Sequence, residues 1–191
     1  MINRYQLFKA LAQTQKTLRP QHAEFMGIPI DGELKSFTKK LVAYKKFKFC
    51  DFFDNYTMVS GDLYGYYNCS VFSVTEQDNL DNTYKVEVYL TKEVLWDDIV
   101  TEFRKTKAKL EAEFGPNIYD FSKGAFARDF KRFSIDNKSY EDFFCKFIIN
   151  GGFIFYGIQD WGFHNRHSLS MHYYDEANMP YYCKYLLSGN S

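Results

Sequence analysis

The chain has no net charge, no C-x-x-C pair and no apolar run of membrane-spanning length, and each absence removes a class of function. Lys plus Arg and Asp plus Glu balance at 24 each across 191 residues. With no RNP, zinc-finger or helix-turn-helix signature beside that balance, nucleic acid is not an expected partner. The four cysteines, Cys50, Cys69, Cys145 and Cys183, lie far apart and lack metal or dithiol-redox spacing. Their count leaves three disulfide pairings and free thiols all open. No stretch approaches the ~18–20 apolar residues of a transmembrane helix. There is no G-x-S-x-G and no phosphate-cradling glycine loop. No catalytic residue is therefore assigned, no metal ligand, and no cofactor.

Aromatic side chains are what the chain has in excess: 20 Phe, 16 Tyr and 2 Trp, 20% of all residues. A core rich in rings follows. The tyrosines exceed what a core needs, and with an apolar body and a wet tip they suit a half-buried rim or a stacking platform for a flat ligand such as a sugar. Charge is distributed unevenly, since residues 1–50 hold 10 Lys or Arg against 3 Asp or Glu. Lys39, Lys40, Lys45, Lys46 and Lys48 read as a solvated face or as an anion-facing surface.

The most legible element runs from Trp96 to Pro116. Trp96, Val100, Phe103, Leu110 and Phe114 recur at helical spacing, acidic residues load the first turns, and Gly115-Pro116 stops the helix. A second helix is predicted over about 33–46, with Leu34, Phe37 and Leu41 as its stripe and Asp31 or Gly32 as cap. Thr57 to Leu63 and Tyr67 to Thr75 read as strands around a turn at Gly65, Glu76 to Asn82 as a loop, and Tyr84 to Leu90 as a strand with one buried and one wet face. That wet face implies an antiparallel sheet covered on one side. Beyond a short helix around 124–134, Tyr140 to Ile149, the hairpin signal Asn150-Gly151 and Phe153 to Ile158 form a strand pair, and Ser168 to Asp175 closes the sheet. The fold expected is α+β, two helix-plus-antiparallel-sheet pseudo-repeats (about 25–116 and 117–178) in one domain of residues 25–178. A polar segment, 1–24, precedes it and a tail, 179–191, follows. The layout is similar to that of beta-lactamase-inhibitor-like and PepSY-like modules, at the level of fold analogy only.

The phrase Phe25-Met26-Gly27-Ile28-Pro29-Ile30-Asp31-Gly32, followed by a helix, several strands, a helix ending at Gly-Pro and a closing Tyr-x-Asp, resembles an uncharacterised family of small gut-bacterial proteins. The match covers about residues 25–178. The resemblance implies a bacterial protein, usually exported to the periplasm or beyond, with no assigned activity. Residues 1–24 lack the apolar h-region of a signal peptide, so export rests on the resemblance alone.

Two aromatic loops carry the functional expectation. The first is 159–167, where Trp161, His164, Arg166 and His167 form a candidate ligand-contacting set, with His172 and Asp175 beyond. The second is the turn Tyr64-Gly65-Tyr66-Tyr67, with Tyr66 and Tyr67 as stacking candidates. A hydrolase or metal centre on Asp160, His164 and His167 is the competing reading. Its spacing is poor, because His167 and His172 fall on opposite faces of a continuous strand. The reading is a noncatalytic binding module for a glycan, small ligand or protein, with a structural or inhibitory protein partner as a further alternative.

Overall fold

The computed structural model describes residues 21–44, 47–76, 79–90, 96–117, 144–160 and 167–180. Nine strands and two helices occur among them, in the order β1 (Glu24–Phe25), β2 (Ile28–Pro29), α1 (Leu34–Ala43), β3 (Phe47–Phe52), β4 (Tyr56–Leu63), β5 (Tyr66–Glu76), β6 (Asn79–Tyr89), α2 (Trp96–Phe114), β7 (Phe144–Ile149), β8 (Gly152–Asp160) and β9 (His167–Asp175). Strands β1 and β2 form a small hairpin. The other seven make one antiparallel sheet, ordered β3-β4-β5-β6-β9-β8-β7.

That sheet corrects the expected α+β pseudo-repeat. The fold is mostly β, with 53% of the described residues in strands against 24% in helices. The last strand is inserted between β6 and β8, so the sheet is not two successive blocks. Part of the reason lies in the polar run after Glu76. Asn79 already pairs with Glu76 at the start of β6, because a long antiparallel ladder accepts polar side chains wherever they point away from the core. The expected helix around 124–134 lies outside the described residues.

One face of the sheet is covered by the two helices. Helix α1 lies over β3 to β6 and α2 over β7 to β9. In α1 the stripe Leu34, Phe37 and Leu41 is buried, joined by Thr38. Its N-cap is Glu33, which makes no side-chain cap bond, in place of Asp31 or Gly32. Asp31 instead accepts from Lys40 Nζ at 3.1 Å. Helix α2 spans Trp96–Phe114 and stops at Gly115 (φ +84°). Its buried line is Ile99, Phe103, Thr106 and Leu110, with Val100 and Phe114 on the flank. Phe103 stacks on Tyr156 of β8 with ring centroids 5.0 Å apart, and the Tyr156 hydroxyl donates to the Phe103 carbonyl at 3.2 Å.

The opening motif folds as a plug for this core. Met26 and Gly27 both take positive φ (53° and 75°), the mirror-image turn that suits a two-residue hairpin. Phe25, Ile28 and Ile30 are thereby driven into the core. The closing Tyr-x-Asp meets the plug directly. Phe25 packs edge-on against Tyr173 at 5.0 Å, and the buried Asp175 carboxylate accepts from the amides of Ala23 (2.7 Å) and Asn178 (2.9 Å). His22 Nδ1 lies 3.1 Å from the same carboxylate. The two ends of the recognised pattern are one structural unit.

Candidate functional site

Of the residues expected to bind, Trp161, His164 and Arg166 lie outside the described residues. His167 opens β9, opposite Asp160 of β8, and is buried. It shares the continuous strand β9 with His172, which faces the other way. The tyrosine turn is divided. Gly65 and Tyr64 both take positive φ. Tyr66 turns onto α2, donating to Glu102 Oε2 at 2.8 Å and lying 2.8 Å from Thr106 Oγ1. Burial first, with Glu102 beside it, pushes its hydroxyl up to about 12. Tyr67 is 80% exposed. The two rings therefore face opposite ways, as consecutive residues of a strand do.

The sheet face opposite the helices carries a polar ladder instead of an open wet surface. Lys85 and Glu87 form an ion pair, and the Tyr89 hydroxyl donates to Glu87 Oε2 at 3.4 Å. His172 sits opposite Glu87 in register, its ring 6.4 Å from that of Tyr89. Burial pushes the Glu87 carboxyl up, but Lys85, His172 and the hydrogen bonds from Lys85 and Tyr89 together bring it below its ordinary value. Burial, with the Lys85 charge, pushes His172 down to about 3. Its Nε2 is buried without a hydrogen-bond partner, as is Gln159 Oε1. A general base serves best with a pKa near the working pH, and His172 lies several units below neutrality. It is a neutral core imidazole. Among the described residues no group of three His, Cys, Asp or Glu side chains could hold a metal ion. Cys50, Cys69 and Cys145 are free thiols, the last two buried, with burial pushing Cys145 up to about 11.

The candidate contact surface is a groove with an almost wholly apolar lining between α1 and β3, the sheet's first edge strand. It has a volume of about 560 Å³ and is walled by Lys35, Thr38, Lys39, Val42 and Ala43 on the helix and by Phe49, Phe52 and Thr57 on the sheet. That is within the usual few hundred to a thousand Å³ of small-molecule pockets. A β-bulge builds it. The β3–β4 register runs Phe49↔Val59, skips Cys50, and resumes Asp51↔Met58 and Phe52↔Thr57. Phe49 and Phe52 are three apart and would face opposite ways in a regular strand, but the extra residue sets both on the helix side. They stay 55% and 42% exposed, because α1 does not reach across the edge.

The floor of the groove is apolar by construction. Thr38 donates its only hydroxyl proton to the Leu34 carbonyl at 2.7 Å. The Thr57 hydroxyl, 2.6 Å away, must then donate to Thr38 Oγ1. No hydroxyl of the floor is left seeking a partner. At the rim, Lys35 Nζ lies 5.0 Å from the Phe52 ring centroid, within cation–π reach. Lys40 is neutralised by Asp31, while Lys35 and Lys39 have no carboxylate within ion-pair distance among the described residues. In the sequence, Lys39 belongs to a run that reads as a solvated or anion-facing surface, whereas Lys35, Phe49 and Phe52 carry no assignment. The signal was there in two large rings on an edge strand beside a lysine-rich helix, but the bulge that aligns them is a long-range feature of the β4 pairing.

Comparison with protein-family models, with curated proteins and with solved structures gives no match. The family resemblance of residues 25–178 thus rests on the motif and the element pattern alone. No helix among the described residues is long and apolar enough to cross a membrane.

Proposed function

We propose that the chain is a noncatalytic binding module whose contact surface is the α1–β3 groove. The observation that carries this reading is the pair of exposed rings, Phe49 and Phe52, held on one side by the Cys50 bulge and rimmed by Lys35 and Lys39, which have no ion-pair partner among the described residues. Exposed apolar side chains gathered in a concave site mark an interaction surface more often than scattered ones do. The loop 159–167 remains a second contact candidate, through Trp161, His164 and Arg166. The family resemblance supports an exported bacterial protein.

The test is a thermal-shift panel of soluble glycans, peptides, amphiphiles and divalent metals on the wild-type chain and on Val42→Glu. Val42 is exposed on α1, so the substitution fills the groove with charge at little expense to folding. A ligand at 100 times its Kd adds about 2.7 kcal/mol, which raises Tm by roughly 5–10 °C at this size. A rise in the wild type that Val42→Glu abolishes supports the reading. A rise that survives in Val42→Glu moves the site elsewhere, and a metal-only rise reversed by chelator opposes a noncatalytic module.

A further inference from the structure

We infer that the α1–β3 groove takes a single-chain anionic amphiphile of the fatty-acid class, its carboxylate at Lys35 and Lys39 and its alkyl chain along Val42, Ala43, Phe49 and Phe52. This rests on the groove being the binding surface, and it adds the chemistry of the ligand. The lining decides the tail. A glycan or a nucleotide presents hydroxyls and amides all along its length, and most would be desolvated against a nearly apolar floor that has no free hydroxyl donor. Among the described residues, Thr38 and Thr57 are the only hydroxyls in that lining, and both protons are committed, one to the Leu34 carbonyl and one across the 2.6 Å contact. What fits such a floor is hydrocarbon.

The rim decides the head. The two described cations of the lining, Lys35 and Lys39, sit on α1, four residues apart and so on one side of the helix. Lys40, the third lysine of that stretch, is occupied by Asp31. Among the described residues the groove has no acidic side chain in its lining, so a cationic head finds no carboxylate there while an anionic head finds two ammonium groups. An acidic peptide adding a strand to β3 would share the charge preference. It would need an uninterrupted edge ladder, whereas β3 is broken by the bulge at Cys50 after three paired residues. The volume, about 560 Å³, is that of one small ligand.

The experiment is a calorimetric titration of the full chain with dodecanoate below its micelle concentration, alongside decanoate, dodecyltrimethylammonium and anionic phosphatidylglycerol vesicles. Dodecanoate is expected to bind one per chain. Shortening to decanoate weakens binding about four- to fifteenfold, since each buried methylene contributes up to roughly fourfold. Dodecyltrimethylammonium binds at least tenfold more weakly. Val42→Glu abolishes binding, Lys35→Glu with Lys39→Glu weakens it at least tenfold, and Tyr67→Ala, on the far turn, leaves it unchanged. Circular dichroism of each variant checks that folding is intact.

Equal binding of the cationic surfactant overturns the assignment, because the lysines then select nothing. Binding to vesicles alone overturns it in favour of a membrane surface. If dodecanoate does not bind but Val42→Glu abolishes a concentration-dependent dimer seen by sedimentation, the ligand class is wrong and the groove stays the contact surface. If dodecanoate binds and Val42→Glu does not affect it, the groove reading itself fails.

Discussion

At the scale of single residues, burial separates groups that look reactive from groups that are. His172 is held neutral, its pKa near 3 against an ordinary 6.5. The folded-state value is depressed, so between pH 6.5 and 5 the unfolded chain takes up a proton that the native chain refuses. Stability therefore falls with pH in that window, by on the order of 1.4 kcal/mol per pH unit at most. Denaturant titrations of wild type and His172→Gln at pH 7, 6 and 5 measure it. The wild type is expected to lose more stability than the variant, and equal slopes would show that His172 is already solvated. Tyr66 and Tyr67 make a second contrast. Tyr66→Phe removes the hydroxyl that serves Glu102 and Thr106, for an expected loss of about 1 kcal/mol. Tyr67→Ala, at a side chain 80% exposed, stays within about 0.5 kcal/mol of wild type. A larger loss at Tyr67 than at Tyr66, read by chemical denaturation, would mean the turn is oriented the other way.

At the scale of elements, the account depends on two close approaches. Gly152 opens β8 directly after the Asn150-Gly151 turn, and a Cβ there would collide with the Tyr174 carbonyl oxygen of β9. Neither backbone can move without breaking the ladder, so Gly152→Ala is expected to destabilise by about 3 kcal/mol or more, visible as a large fall in Tm. Asp175 is the clamp between the plug and β9. Asp175→Ala leaves two backbone amides, of Ala23 and Asn178, without their acceptor, for an expected loss of about 2–4 kcal/mol. Amide exchange at Ala23 should rise at the same time. A variant that unfolds no more easily than wild type would remove the clamp from the account.

Legibility in the sequence divides along the same line between local and distant causes. Helix α2 is bounded as its stripe, its acidic start and Gly115 imply, because those signals act within a turn or two. Its buried line, centred on Ile99 and Thr106 as well as Phe103 and Leu110, is turned slightly from the stripe of the largest side chains. Thr106 is polar but has Tyr66 to satisfy it. The Asn150-Gly151 turn was readable for the same local reason. The order of strands was not, since placing β9 between β6 and β8 is decided by which faces bury together between residues 81 to 89 positions apart, Tyr89↔Ser170 to Lys85↔Tyr174. Nor was the groove, because the parity of Phe49 and Phe52 depends on one unpaired residue, Cys50, that only the β4 register reveals.

At the scale of the whole molecule, seven strands in one antiparallel sheet give a stiff base with helices on one face and a gap where α1 stops short of the edge. The apolar excess of the chain is spent mainly inside. Among the described residues, three of the eight exposed large apolar side chains, Val42, Phe49 and Phe52, line that gap. The central claim is that this gap is where the molecule makes contact. The most direct measurement is amide chemical-shift mapping of the isotope-labelled chain titrated with dodecanoate. Saturable shifts confined to α1 (Leu34–Ala43), β3 (Phe47–Phe52) and the facing end of β4 are the predicted result. Shifts centred on residues 159–167 or on the Tyr64-Gly65 turn, with the groove silent, would contradict it.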